Sequence, residues 1–370
     1  MRPTSVRLTP FIQAAYGSLE DLLDFCRRLP KVELHAHLNG SIPPAALKDL
    51  ALRKLGQRLH KDDAAQEALN VLNALDEVEC TGLTFGICVR FFPLFPAIYA
   101  LTNDEESLTF IAHSVIDGFK NDGVRYLEVR SGPRDAPETG MTKETYIQTL
   151  LKAFGSASCD DILVKLIVAI DRKQTKDGAE GVIDLALKHR DEGIVGVDLC
   201  GDPSYGHFDN VAKDAMRKAK SAGLKVTIHL GEVDGRHDES LSMLSIPPDR
   251  LGHATYMSDE VRQRVYQERI PIEICMTSNV LTKTVPSYEE HHLGDALRED
   301  HPSVLCTDDV GIMRSTLSNE YAIAASTFDL GKKQLFDLSF RAIDACFATE
   351  DEKLALQSTW FAWARKEKIL

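Results

Sequence analysis

His35 and His37 stand two residues apart in the run Val32-Glu33-Leu34-His35-Ala36-His37. In an extended strand that spacing puts both imidazoles on the same side. His229 precedes Glu232 by three residues, and His253 and the pair Asp308-Asp309 follow further along the chain. Imidazole nitrogens from His35, His37 and His229, with the Asp308 carboxylate, suit a catalytic zinc ion that keeps a position for water. Such a water titrates near pH ~7 and supplies a nucleophile at neutral pH. Glu232, just beyond His229, is placed to move protons as general acid and base. His253 could orient or polarise the attacking oxygen. Each residue has a plainer alternative. The two strand histidines could be satisfied core residues, Glu232 a solvated loop carboxylate like its neighbour Asp234, and His253 a helix cap. His229 and Asp308 are unspecific when taken singly, and their weight comes from where they fall in the chain's pattern of strands.

That pattern is an alternation. Short β-branched apolar runs at Lys31–His37, Val124–Arg130, Ile162–Ile170, Ile194–Leu199, Lys225–His229, Arg250–His253, Pro271–Met276 and Ser303–Thr307 read as strands. Between them, Leu108, Ile111, Ala112, Val115, Ile116 and Phe119 recur at helical steps, as do Phe208, Val211, Ala212, Ala215, Met216 and Ala219. Gly123 and Gly223 are placed to close those helices. The alternation predicts an α/β fold, a (β/α)8 barrel, with a doubly wound sheet as the alternative. The stretch from about 38 to 102 is too long for one crossover and reads as a helical excursion over the barrel mouth. The tail Leu335–Leu370 reads as closing helices, and residues 1–370 as one domain. In a parallel barrel the strands' C-terminal ends carry the active site. The candidate residues all lie at those ends.

The composition limits the alternatives. A net charge of −13 works against nonspecific binding to nucleic acid or acidic membranes, and an anionic substrate would need a local basic group. Eight cysteines without a CxxC pair predict buried free thiols rather than a zinc finger or a disulfide framework. No apolar run is long enough to span a membrane, and the N-terminus lacks the apolar block of a secretory signal, so the cytoplasm is the expected compartment.

Several segments together resemble the adenosine/AMP deaminase family. Leu29-Pro30-Lys31-Val32-Glu33-Leu34-His35-Ala36-His37-Leu38-Asn39-Gly40-Ser41 is similar to its first strand and metal pair. His229-Leu230-Gly231-Glu232 is similar to its third ligand and catalytic glutamate. Arg250-Leu251-Gly252-His253, Thr277-Ser278-Asn279 and Cys306-Thr307-Asp308-Asp309 follow in family order. The resemblance implies one zinc ion per chain, and Val197-Asp198-Leu199 agrees in lacking the lysine that bridges two metals in related amidohydrolases. It also implies that Asp309 and the Gly201 backbone contact a purine.

Arg130-Ser131-Gly132-Pro133-Arg134, Asp171-Arg172-Lys173 and Gly201-Asp202-Pro203 resemble the adenosine deaminase-like subgroup. That resemblance implies conversion of N6-methyl-AMP to IMP and methylamine, with the nucleoside adenosine as the alternative substrate. The implied substrate contacts are His37, Asn39, Tyr99, Ser131, Gly132, Pro133, Arg134, Asp171, Gly201 and Asp309. Arg134 would meet the phosphate, unless it pairs with Asp135 or Glu138 on the surface. Two positions depart from the subgroup: Gly132 replaces a threonine and Tyr99 a histidine. The expected partner is a small purine nucleotide, with no nucleic acid or membrane, and the chain is expected to be monomeric.

Overall fold

Eight parallel strands run round the sheet in chain order: β1 (Lys31–His37), β2 (Val124–Ser131), β3 (Leu163–Asp171), β4 (Ile194–Cys200), β5 (Lys225–Leu230), β6 (Arg250–His253), β7 (Ile272–Ile274) and β8 (Ser303–Leu305). This computed structural model describes residues 6–57, 66–67, 69–70, 94–159 and 161–370. Each strand pairs with the next, β1 with β2 through to β7 with β8. The ring is closed by a bridge between Ala36 and Asp308, where the His37 N–H donates to the Asp308 carbonyl at 3.0 Å and the Asp308 N–H to the His35 carbonyl at 2.8 Å. The fold is therefore the expected (β/α)8 barrel. A doubly wound sheet would reverse its strand order at a switch point.

Strand alternation sorts the side chains. Val32, Leu34 and Ala36 of β1, Leu127 and Val129 of β2, Val197 and Leu199 of β4, and Ile272 and Ile274 of β7 are all buried apolar residues. The residues between them are Glu33, His35, Glu128, Arg130, Asp198 and Glu273, equally buried. These charged residues touch one another across non-adjacent strands, as Arg130 touches Asp198 and Glu273, so their side is the barrel interior. The apolar side faces the helices.

Several boundaries differ from expectation. β7 and β8 are shorter than Pro271–Met276 and Ser303–Thr307, because Met276 already starts the helix Met276–Leu281 and the chain turns at Asp308 with φ 66°. The helical run over 208–219 is two helices, Phe208–Val211 and Lys213–Ser221. Its first turn is tied aside, since the Phe208 N–H donates to Glu239 Oε1 at 2.7 Å. Gly123 and Gly223 do end their helices, with φ of 85° and 86°, values that favour glycine. Of the helical excursion, the helices Pro44–Gln57 and Leu94–Leu101 are seen, while 58–65, 68 and 71–93 lie outside the described residues.

Cys26, Cys275, Cys306 and Cys346 are buried free thiols as expected, but Cys159 is exposed and Cys200 half-buried. Cys200 ends β4 and Cys159 lies in the turn before β3; Cys80 and Cys88 lie outside the described residues. Among the described residues no helix is long and apolar enough to cross a membrane.

The expected closing helices are Lys332–Arg341 and Glu350–Lys366. Between them, the Ala345 carbonyl accepts from Arg250 at 2.8 Å and the Phe347 N–H donates to Glu128 at 2.6 Å, plugging the N-terminal end of the barrel. Trp360 is fully buried and its Nε1–H donates to Ser339 Oγ at 2.9 Å, which in turn donates to the Pro30 carbonyl just ahead of β1. Trp360→Ala should lower stability by about 3–5 kcal/mol in urea unfolding. A loss under about 1 kcal/mol would show that the last helix does not brace the barrel.

Candidate functional site

At the C-terminal rim, β1 delivers His35 and His37, β5 delivers His229, and the turn after β8 delivers Asp308. His37 Nε2 lies 3.1 Å from His229 Nε2 and 3.4 Å from Asp308 Oδ1, and His35 Nε2 lies 3.5 Å from that same oxygen. Donor atoms about 2.0–2.1 Å from one tetrahedral ion stand roughly 3.3 Å apart, so these separations fit a shared metal. His253 also enters the cluster. Ligand atoms of His35, His229, His253 and Asp308 all lie within 4.8 Å of one another. The His253 Nε2–Asp308 Oδ2 separation of 3.9 Å is longer than the others.

The imidazoles are oriented from below. His35 Nδ1 meets Glu273 Oε2 at 2.6 Å, and His229 Nδ1 meets Asp198 Oδ1 at 3.1 Å. A carboxylate can only accept, so each Nδ1 carries the proton and each Nε2 presents a lone pair to the rim. Arg130 joins the two supports, donating to Asp198 at 3.0 Å and to Glu273 at 2.8 Å. Burial works to raise both carboxyl pKa values. For Glu273 the Arg130 and Arg250 guanidiniums outweigh it, and for Asp198 His229 and Arg130 do, so both stay below the usual range.

Close contacts enforce this packing. A Cβ on Gly252 would come within 2.9 Å of His35 Cε1, and one on Gly40 within 1.5 Å of Asp309 Oδ1. Neither position leaves room for a side chain. By alternation His253 would share the outer face with Leu251, but its φ of 58° turns the ring inward, to 4.7 Å from the His35 ring. Asp308 has its own left-handed φ and accepts from Ser278 Oγ at 2.7 Å.

Among the described residues, four buried polar atoms at this rim have no hydrogen-bond partner: His35 Nε2, Asn39 Oδ1, Glu232 Oε2 and Asp309 Oδ1. Buried polar groups are rarely left so, and here they converge where a metal and a polar ligand would satisfy them. Glu232 Oε1 lies 3.9 Å from His253 Nε2, and burial raises the Glu232 carboxyl above its usual pKa, which suits a proton donor. Asp309 is pushed well above the carboxylate range, first by burial and then by the adjacent Asp308 charge. A neutral carboxyl there can donate to an acceptor nitrogen.

The far wall holds the other candidates. Arg134 does not pair with Asp135 or Glu138. Its guanidinium lies 4.6 Å from the Tyr99 ring and 4.9 Å from the Tyr146 ring, and donates to Tyr146 Oη at 3.0 Å and the Thr102 carbonyl at 2.8 Å. Ser131 Oγ shares a 2.7 Å hydrogen bond with Tyr146 Oη. Gly132 and Pro133 connect these two residues, and a Cβ on Gly132 would press on the Ala169 carbonyl at 3.3 Å. Asp171 closes β3 beside Gly201, whose φ of 97° and 2.9 Å Cβ approach to Asp171 Oδ1 require glycine. Glu232 itself lines a small recess with Arg172, Arg236 and Glu239.

Residues 30–363 match the family model described as adenosine deaminase. The chain belongs to the adenosine deaminase family. A Danio rerio relative named N6-methyl-AMP deaminase is 42% identical over 348 residues, covering 91% of this chain and 95% of the relative. The apo N6-methyl-AMP deaminase from Arabidopsis thaliana superposes with a TM-score of 0.84 at 36% identity, covering 93% of this chain and 99% of that one. An Arabidopsis structure complexed with IMP gives the same TM-score, identity and coverage.

The chain is thus a hydrolytic deaminase of a metal-dependent family, with a buried group of histidines and an aspartate able to take the metal. Sequence reasoning missed Arg130, Asp198 and Glu273 as supports for the deaminase's histidines. A signal was present, since Asp198 and Glu273 each interrupt an otherwise apolar strand, Val197-Asp198-Leu199 and Ile272-Glu273-Ile274. Removing such a support costs metal affinity roughly 10–100-fold, and Asp198→Ala should show that loss in competition with a chelator. Unchanged affinity would mean that Asp198 does not orient His229.

Proposed function

We propose that this deaminase removes the N6-methylamino group from N6-methyl-AMP, giving IMP and methylamine, with one zinc ion held by His35, His37, His229 and Asp308. The observation that carries the reading is a half-buried arginine, Arg134, on the rim that also gathers His35 Nε2, Glu232 Oε2 and Asp309 Oδ1, atoms without a hydrogen-bond partner among the described residues. A nucleoside offers this guanidinium no charge, whereas a 5′-monophosphate is the anion its geometry suits. Three of its five N–H donors reach Tyr146 and Thr102, leaving two not engaged among the described residues. The names of the zebrafish and Arabidopsis relatives support this substrate. So does the IMP bound in one of them, the product this reaction would release.

The donor set of imidazoles and one carboxylate suits zinc, which when bound makes water acidic enough to be a nucleophile at neutral pH. The chain's own residues do the rest. Asp309 donates to the purine's five-membered ring, and the Gly201 backbone meets its six-membered ring. Asn39, Tyr99, Asp171 and the Ser131–Arg134 turn line the remainder of the pocket, with His37 at the metal edge. Glu232 protonates the ring nitrogen beside C6 as the water oxygen adds to C6. His253 and Asp308 align that oxygen. Glu232 then carries the remaining water proton to the amine nitrogen as the C6–N bond breaks. The water's two protons end on the ring nitrogen and on methylamine, and its oxygen ends on C6.

Zinc-loaded protein should form IMP from N6-methyl-AMP and little product from N6-methyladenosine or adenosine, read by chromatography. Inosine from adenosine at a comparable rate would keep the chemistry and overturn the substrate. Glu232→Gln should keep its zinc and lose roughly 10²–10⁴-fold in kcat. Arg134→Met should raise KM for the nucleotide by at least about tenfold with a smaller change in kcat, the mark of lost uniform binding. A variant with unchanged KM would take Arg134 out of the phosphate site.

A further inference from the structure

His291 and His292 follow β7 by some way and join no catalytic pattern in the sequence, yet both are directed at His253. The Leu293 backbone N–H donates to His291 Nδ1 at 3.1 Å. A backbone N–H cannot accept, so Nδ1 is the accepting nitrogen and the His291 proton sits on Nε2. That Nε2–H lies 3.2 Å from Asn279 Oδ1, which fixes the amide with its Nδ2 pointing the other way. Asn279 Nδ2 then donates to His253 Nδ1 at 3.0 Å. With Nδ1 accepting, the proton of a neutral His253 sits on Nε2, the nitrogen 3.9 Å from both Glu232 Oε1 and Asp308 Oδ2.

The backbone of His253 is held from the same side. His292 Nε2 donates to the His253 carbonyl at 2.8 Å, and its ring stacks on His291 with centroids 4.3 Å apart. His253 and Ala254 are consecutive non-glycine residues with positive φ, a strained conformation that needs such support. His253, Asn279, His291 and Leu293 are buried and His292 is half-buried. Burial also holds the His291 pKa well below its usual value, in keeping with the neutral ring that an accepting Nδ1 requires.

We propose that Asn279, His291 and His292 are positioning residues for the hydrolysis. The chain from Leu293 N–H through His291 and Asn279 fixes His253 as its Nε2–H tautomer, and His292 pins the strained backbone that turns this ring inward. His253 then faces the reacting oxygen as a hydrogen-bond donor. It holds no free lone pair there, so it neither takes the water's proton nor serves as a metal ligand through Nε2. Proton transfer is left to Glu232, and the metal to His37 in place of His253.

This inference rests on the hydrolytic reading but not on which purine is bound. Its primary test needs no substrate, so its failure is distinguishable from a wrong substrate assignment. Zinc-loaded protein labelled with 15N-histidine is examined by long-range 1H–15N correlation, with the His253 signals identified by their loss in His253→Gln. The wild type should show the Nε2–H pattern for His253. Asn279→Asp presents only acceptors and should draw the His253 proton to Nδ1, lowering kcat about 10–100-fold with KM within about twofold. His291→Leu should blur the tautomer, and His291→Gln, which can still donate to Asn279 Oδ1, should restore both the Nε2–H pattern and most of kcat. An Nδ1–H pattern in the wild type overturns the proposal. So does a tautomer or a kcat that is unaltered in both Asn279→Asp and His291→Leu.

Discussion

The site depends first on one buried cation. Arg130 lies inside the barrel with no exposed surface and neutralises Asp198 and Glu273, the two carboxylates that accept from His229 and His35. Without it, Asp198 would have no guanidinium beside it and Glu273 only that of Arg250, in a low-dielectric interior that favours protonation and so weakens acceptance from His229 and His35 Nδ1–H. Glu273 is additionally held by Arg250 Nε at 2.7 Å and Thr227 Oγ1 at 2.9 Å, and Arg250 continues the network to Glu128 at the plugged end. A barrel interior is ordinarily filled by branched apolar side chains. Here it is a ladder of paired charges running from the floor to the C-terminal rim. Burying such a ladder is costly unless every charge is paired, and removing one member of a buried pair costs about 3–5 kcal/mol. The ladder sets the tautomers of His35 and His229, and so where their lone pairs point.

The same residues close the barrel. The bridge between Ala36 and Asp308 is flanked by His35 and His37, so backbone closure and ligand convergence are one geometric event. Strain gathers at the same place. His253, Ala254 and Asp308 all hold positive φ without being glycine. For His253 the reason is visible in the register. Leu230 pairs with His253 and His229 with Gly252, so regular alternation would turn His253 away from the metal-facing ring. A left-handed residue at the strand's end reverses it, and Gly252 leaves the space through which the His35 ring approaches. Sites of this kind persist only where the surroundings over-determine them. The hydrogen bonds from His292, and from the Ala254 N–H to the Leu230 carbonyl at 2.9 Å, supply that constraint.

Much of this was legible in the sequence because strands and their ends are local. Eight apolar runs gave the barrel, and the residues ending them gave the rim. His35, His37, His229, Glu232 and Asp308 stood out because imidazoles and acids at strand ends are few. Partners were not legible. Parity could place Asp198 and Glu273 on the inner face, but only closure of the ring brings Arg130 from β2 against a residue of β7. His291 and His292 were beyond reach for a similar reason. Nothing near them in sequence is catalytic, and their role comes from a loop folding back on the end of β6. The break at Ala212 was hidden too, since the apolar period continues across it while Glu239 from another helix draws the first turn aside.

The two departures from the subgroup pattern bear on Arg134 in opposite ways. Gly132 brings no hydroxyl, and the Ser131 hydroxyl is already engaged with Tyr146, so neither is a ready donor to an anion. Tyr99 loses a histidine's nitrogens but offers a ring face 4.6 Å from the guanidinium. Together with Tyr146 it holds Arg134 between two aromatic surfaces, and the Thr102 carbonyl fixes its orientation. An arginine so fixed loses little further freedom when it meets an anion, and partial burial strengthens the contact. In a chain whose net charge of −13 opposes anions generally, the proposed nucleotide substrate would place the burden of phosphate recognition on one preorganised side chain. Hydroxyl donors that share a phosphate can be exchanged one at a time. A single arginine with that task cannot be replaced by lysine without losing the planar fork that the two rings clasp.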